Sequence, residues 1–138
     1  KKIFKLTENK HPYAATKPDQ TKVVREGNEV HVYMTTIRSH FAPDWIDGIE
    51  VGNEVYFHIT NLEQDWDVPH GFSVKGARNS ELLVMPGQTE TLKWIPQFEG
   101  TVPFYCTDFC SALHQEMQGY IRVVPKGQSK EITWGLGE

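Results

Sequence analysis

The sequence predicts an all-β sandwich or barrel, and three observations carry that prediction. Two segments, 29–36 and 54–60, alternate apolar and polar side chains with a period of two. The turn pairs Gly52-Asn53 and Pro86-Gly87 separate short runs of strand formers. Several more short runs follow at close spacing, the usual sequence signature of a two-sheet protein.

Residues 1–20 hold Pro12 and Pro18 and show no sustained periodicity, so they read as a tail or linker. The β pattern begins at Thr21 and runs to about residue 125, the expected domain of 21–125. In 29–36, Val30, Val32 and Met34 share one face and His31, Tyr33 and Thr35 the other. In 54–60, Val55, Phe57 and Ile59 face inward against Tyr56, His58 and Thr60. Gly52-Asn53 turns the chain between 45–51 and that strand, and Pro86-Gly87 turns it between 81–85 and 88–94. Segments 101–105 and 120–124 read as the last two strands. Between them, 106–118 is too long for a hairpin turn and contains helix formers, so a helical turn is expected before Gly119. The polar, glycine-bearing stretch 126–138 reads as a C-terminal tail on the surface or against a partner domain.

At 138 residues the chain suits one domain with a core of its own. It carries 38% hydrophobic residues, and no window approaches the ~18 apolar residues of a membrane span. It opens at Lys1 without the charged-then-apolar pattern of a leader, so no signal peptide is expected in it. The net charge of -4 argues against a nucleic-acid partner, which calls for a basic stripe. Residues 1–20 hold five lysines against Glu8 and Asp19, a balance of +3 that leaves -7 on the remainder.

The chemistry concentrates in one stretch. Cys106, Cys110, His114 and Met117 follow one another as C-x3-C-x3-H-x2-M. On a helix these positions share a face, and in a tight loop they converge equally well. Thiolate and thioether select soft transition metals, Cu(I) above all, and imidazole suits copper or zinc. A thioether is not a usual zinc ligand, so Met117 favours copper. His70, flanked by Pro69 and Gly71, is the best candidate for a second imidazole, with an unusual backbone expected around it. A disulfide staple between Cys106 and Cys110 is not expected, because so small a loop removes little unfolded-state entropy.

Blander readings compete. His31 and His58 fall on outward strand faces and are expected in solvent, and His11 and His40 fall in polar or loop segments. A lone Met117 would be core filler. A redox dithiol or a Cys/His nucleophile remains open from the residues alone. A nucleophile, though, needs one thiol and a base, and explains neither the second cysteine nor Met117.

At these residues the chain resembles the binuclear copper (CuA) cupredoxins, found in nitrous-oxide reductase and in subunit II of haem-copper oxidases. The reductase signature Cys-x-Trp-Phe-Cys-x-Ala-Leu-His-x-Glu-Met is matched by Cys106, Phe109, Cys110, Ala112, Leu113, His114, Glu116 and Met117. Thr60-Asn61-Leu62, His70-Gly71-Phe72 and Gly27-Asn28-Glu29-Val30 also resemble that family, so the likeness covers roughly residues 20–125. Asp108 stands where the reductases usually carry Trp and the oxidase subunits Glu.

The resemblance implies a cupredoxin-like Greek-key sandwich with a metal-binding loop between the last two strands. It implies Cys106 and Cys110 bridging two copper ions, His70 and His114 each capping one, and Met117 and the Asp108 carbonyl as weak axial ligands. It further implies a periplasmic electron-transfer domain that takes single electrons from a c-type cytochrome or small cupredoxin. The electrons would pass to a catalytic copper cluster of the same enzyme, a homodimer that reduces nitrous oxide to dinitrogen. That cluster needs many histidines, and six histidines in this chain cannot build it, so no substrate-reducing site is expected here. The chain reads as an excised domain or a separate carrier subunit. An oxidase subunit, a copper chaperone or store, and a zinc site are the alternatives. Finally, 55–74 and 94–121 lack Lys and Arg but hold Glu63, Asp65, Asp67, Glu99, Asp108 and Glu116. This predicts an acidic rim for a basic donor, with Trp66 as an electron entry point.

Overall fold

The computed structural model describes residues 21–37, 40–63, 70–75, 82–106, 118–128 and 131–136, with the His40 side chain outside that description. The strands are β1 (Lys22–Glu26), β2 (Glu29–Ile37), β3 (His40–Ala42), β4 (Trp45–Glu50), β5 (Glu54–Asn61) and β6 (His70–Val74). They continue with β7 (Leu82–Val84), β8 (Thr89–Trp94), β9 (Gly100–Tyr105), β10 (Gln118–Val124) and β11 (Thr133–Gly135). One sheet runs β1-β2-β5-β8, with β3 also on β2, and the other runs β11-β4-β10-β9-β6-β7. The chain passes repeatedly from one sheet to the other, so β2 and β5 pair in parallel, as do β4 and β10.

The two alternating segments lie side by side. Val30, Val32 and Met34 stand opposite Val55, Phe57 and Ile59 in the β2–β5 register, and all six are fully buried. Ile46, Ile49, Phe72, Val74, Phe104, Ile121 and Val123 of the second sheet complete one hydrophobic cluster. Each such side chain contributes about 1.5–3 kcal/mol by leaving water, before the conformational entropy of ordering it. Four phenylalanines thicken the core at one end. Phe41, Phe72 and Phe104 meet pairwise at ring centroid distances of 5.5–5.6 Å, and Phe57 lies 5.2 Å from Phe72.

Three expectations change. Within 126–138, read as a tail, Thr133–Gly135 adds β11 to the edge at β4. His31 and His58 do lie on the outer face of their sheet, but not in water. His58 is 3% exposed and the His31 side chain 12%. A hydrogen-bonded chain explains this: Glu29 Oε1 to His31 Nε2 (3.0 Å), His31 Nδ1 to His58 Nε2 (2.8 Å), and His58 Nδ1 to Thr91 Oγ1 (2.8 Å). Tyr56 stacks on His31 at 5.0 Å and Tyr33 tilts over His58 at 5.3 Å. Alternation fixes the face a residue points to, not what covers that face.

Gly119 shows how closely the strands approach. A Cβ there would collide with the Asp44 carbonyl oxygen and the Phe104 ring. Tyr120 N–H donates to that same Asp44 carbonyl at 3.0 Å, so β10 is held tight against it. Rather than releasing a preceding loop, this glycine sits inside β10.

Candidate metal centre

β6 and β9 are antiparallel neighbours, with Ser73 opposite Tyr105 and Val74 opposite Phe104. Strand alternation then sets the site. His70, Phe72 and Val74 share the inward face of β6, and Phe104 points inward from β9. All five β6 residues are buried. Cys106 follows β9 directly and is in phase with Phe104, so its sulfur continues the inward row past the phenylalanine cluster. His70 is 0% exposed and Cys106 3%.

The imidazole is held on both sides. The Glu63 carboxylate accepts from His70 Nε2–H at 2.8 Å, and Nδ1 faces Cys106 Sγ at 4.0 Å. A carboxylate on one ring nitrogen fixes the tautomer and leaves the other as a ligand. Typical metal–sulfur and metal–imidazole bonds of about 2.3 and 2.0 Å together exceed that 4.0 Å gap, so one ion fits between the two donors without parting them. A soft sulfur, an oriented imidazole and a dry apolar floor form a donor set that suits copper.

Cys106 is disulfide-bonded in this structure. A disulfide sulfur is not a thiolate, so two-electron reduction must precede metal binding through Cys106.

His70 and Cys106 are the predicted ligands that the structure brings together. Asp108, Cys110, His114, Met117 and Trp66 lie outside the described residues, as does the helical turn expected in 106–118 beyond Cys106. Among the described residues no three metal-ligating side chains converge. The unusual backbone expected around His70 is not found at Gly71, which lies within β6 opposite Leu83. The acidic rim is also corrected at one position. Glu99 precedes β9 and Cys106 follows it, so at about 3.3 Å per residue Glu99 sits roughly 20 Å from the site. Sequence reasoning counted Glu63 only as rim charge. Its position seven residues before a candidate histidine ligand was the available signal.

No family model matches the chain. Nitrous-oxide reductase of Stutzerimonas stutzeri is 38% identical over 104 residues, covering 75% of this chain but 16% of that protein. Cytochrome c oxidase subunit 2 of Thermus thermophilus is 32% identical over 106 residues, covering 77% of this chain and 74% of that protein. The chain thus spans under a fifth of the reductase and most of the oxidase subunit. A solved haem-copper terminal oxidase dimer matches with a TM-score of 0.64 at 22% identity, over 80% of this chain and 76% of that one, which shows the fold. Two inward donors above a phenylalanine floor and these relatives agree: the chain belongs to the CuA-type cupredoxin domains, homologous to the nitrous-oxide reductase C-terminal region and cytochrome oxidase subunit II.

Proposed function

We propose that this chain is an electron-entry domain that carries single electrons on a binuclear copper centre. The observation that carries the reading is the buried His70–Cys106 pair, with its imidazole oriented by Glu63. His70, Cys106, Cys110, His114 and Met117, with the Asp108 carbonyl, would hold two copper ions once the sulfurs are reduced. The bound group supplies a one-electron couple spread over two ions and two sulfurs. The chain supplies the rest: the two sheets fix the donors, the Phe41–Phe72–Phe104 floor excludes water, and Glu63 keeps His70 Nδ1 turned to the site. Ligands that stay still between redox states keep the reorganisation small.

The likeness to nitrous-oxide reductases supports a part in the reduction of nitrous oxide, and the resemblance read from the sequence implies a place in the periplasm beside a catalytic copper cluster, with a soluble cytochrome or cupredoxin as donor. A second reading, the CuA domain of a haem-copper oxidase, is favoured by the 74% coverage of the Thermus thermophilus subunit. In both the chain moves electrons to a catalytic site elsewhere.

The test is reduction, copper loading, and optical and electron-spin spectra. Two coppers sharing one unpaired electron are expected, with that signal lost in Cys110→Ser, because a hydroxyl cannot bridge as a thiolate does. A delocalised two-copper spectrum surviving in Cys110→Ser refutes the reading. A blue mononuclear signal in the parent chain assigns an ordinary cupredoxin instead.

A further inference from the structure

We propose that Asn61 is a positioning residue for His70, acting through the Glu63 backbone and the Val84 carbonyl at once; this rests on reading His70 as a metal ligand. Asn61 ends β5 in one sheet and is fully buried. Its side-chain Nδ2–H donates to Val84 O at 2.9 Å, across to β7 of the other sheet. Its Oδ1 accepts from the Glu63 N–H at 2.8 Å. Val84 is the β7 residue paired with His70, and Glu63 is the residue whose carboxylate grips His70 Nε2. One amide therefore fixes both the strand beside the imidazole and the backbone that aims the carboxylate at it.

The main chain of Asn61 is committed as well. Its N–H donates to Gln88 O at 3.0 Å and its carbonyl accepts from Gly87 N–H at 2.9 Å. The amide is thus anchored where the two sheets meet. Only a side chain with a donor and an acceptor on one planar group meets both demands, since Val84 offers a carbonyl and Glu63 an N–H. Aspartate keeps the acceptor but sets a carboxylate against the Val84 carbonyl. Leucine keeps the shape and loses both bonds. Side chains that orient a metal ligand from outside are typically worth 10–100-fold in affinity. Asn61 stands one bond further out, so about tenfold is expected.

The experiment begins with the reduced, metal-free chain, in which ring nitrogen shifts report the His70 tautomer. The parent is expected as the Nε2–H form, and Asn61→Asp and Asn61→Leu as mixtures of both tautomers. Copper affinity should fall about tenfold in each. In a Glu63→Ala background, Asn61→Asp should change the tautomer mixture less than it does in the parent, because only the Val84 route remains, which a merely structural role would not reproduce. Amide exchange on the parent chain needs no variant: the Glu63 N–H should be protected. A folded Asn61→Asp with the parent's tautomer and copper affinity overturns the proposal, as does a Glu63 amide exchanging at the free-chain rate. If the parent takes up no copper, the metal reading fails, while the tautomer and exchange measurements still decide the role of Asn61.

Discussion

Replacing Glu63 by alanine isolates what orients His70. The bond is 2.8 Å long, with the His70 side chain 1% exposed and Glu63 12%. Water competes little there, and a hydrogen bond to a charged group is worth about 1.5–3 kcal/mol. Glu63→Ala frees the imidazole to turn and weakens Nδ1 as a donor. If most of that bond energy is felt in the metal-bound state, affinity falls about 10–100-fold, in line with other residues that orient metal ligands. Glu63→Gln keeps an acceptor oxygen for Nε2–H but loses the charge, so about half the energy and three- to tenfold in affinity should go. Both variants should also raise the reduction potential, because a carboxylate beside the centre favours its more positive, oxidised state. The assay is competitive copper titration of the reduced chains with a Cu(I) chelator, followed by potentiometry. Parent-like affinity and potential in Glu63→Ala would refute the orienting role. Equal losses in Gln and Ala would show that charge, not orientation, carries the effect.

Four further outcomes are expected. Gly119→Ala drives a methyl into the Asp44 carbonyl and the Phe104 ring, so stability should fall by about 2–3 kcal/mol, read as a drop in Tm of roughly 5–10 °C. Asp108→Asn should keep both coppers and the shared-electron spectrum while raising the potential, since the peptide carbonyl is unchanged; loss of one copper shows carboxylate ligation instead. Electron transfer from a basic donor should slow as salt rises, because 55–74 and 94–121 carry no Lys or Arg, and a rate flat in ionic strength rules the acidic rim out for that donor. Lys93, 3.0 Å from Glu54, holds that carboxyl below its ordinary 4.5. The pair's contribution is therefore complete above about pH 4.5 and disappears as pH falls through the depressed value. The urea midpoints of the parent and Glu54→Gln should differ at neutral pH and converge in acid.

The sequence by itself determined whatever depends on neighbours along the chain. Alternation in β2 and β5 named Val30, Val32, Met34, Val55, Phe57 and Ile59 as core, because side chains on an extended backbone must point to opposite faces in turn. The run from Cys106 to Met117 points to copper on composition alone, because soft donors crowded into twelve residues favour soft ions. Only the tertiary structure decided what depends on distant segments meeting. No local pattern says that β2 pairs in parallel with β5, that 133–135 joins β4, or that His31 and His58 are joined in a hydrogen-bonded chain. The same holds at the site. His70 and Cys106 were legible as members of one site, but the residues that hold His70 in place were not. Glu63 was counted only as rim charge, and Asn61 reaches Val84 over 23 residues. Such contacts exist only once two sheets have closed on one core, since loop closure must be offset by burial shared over the whole domain.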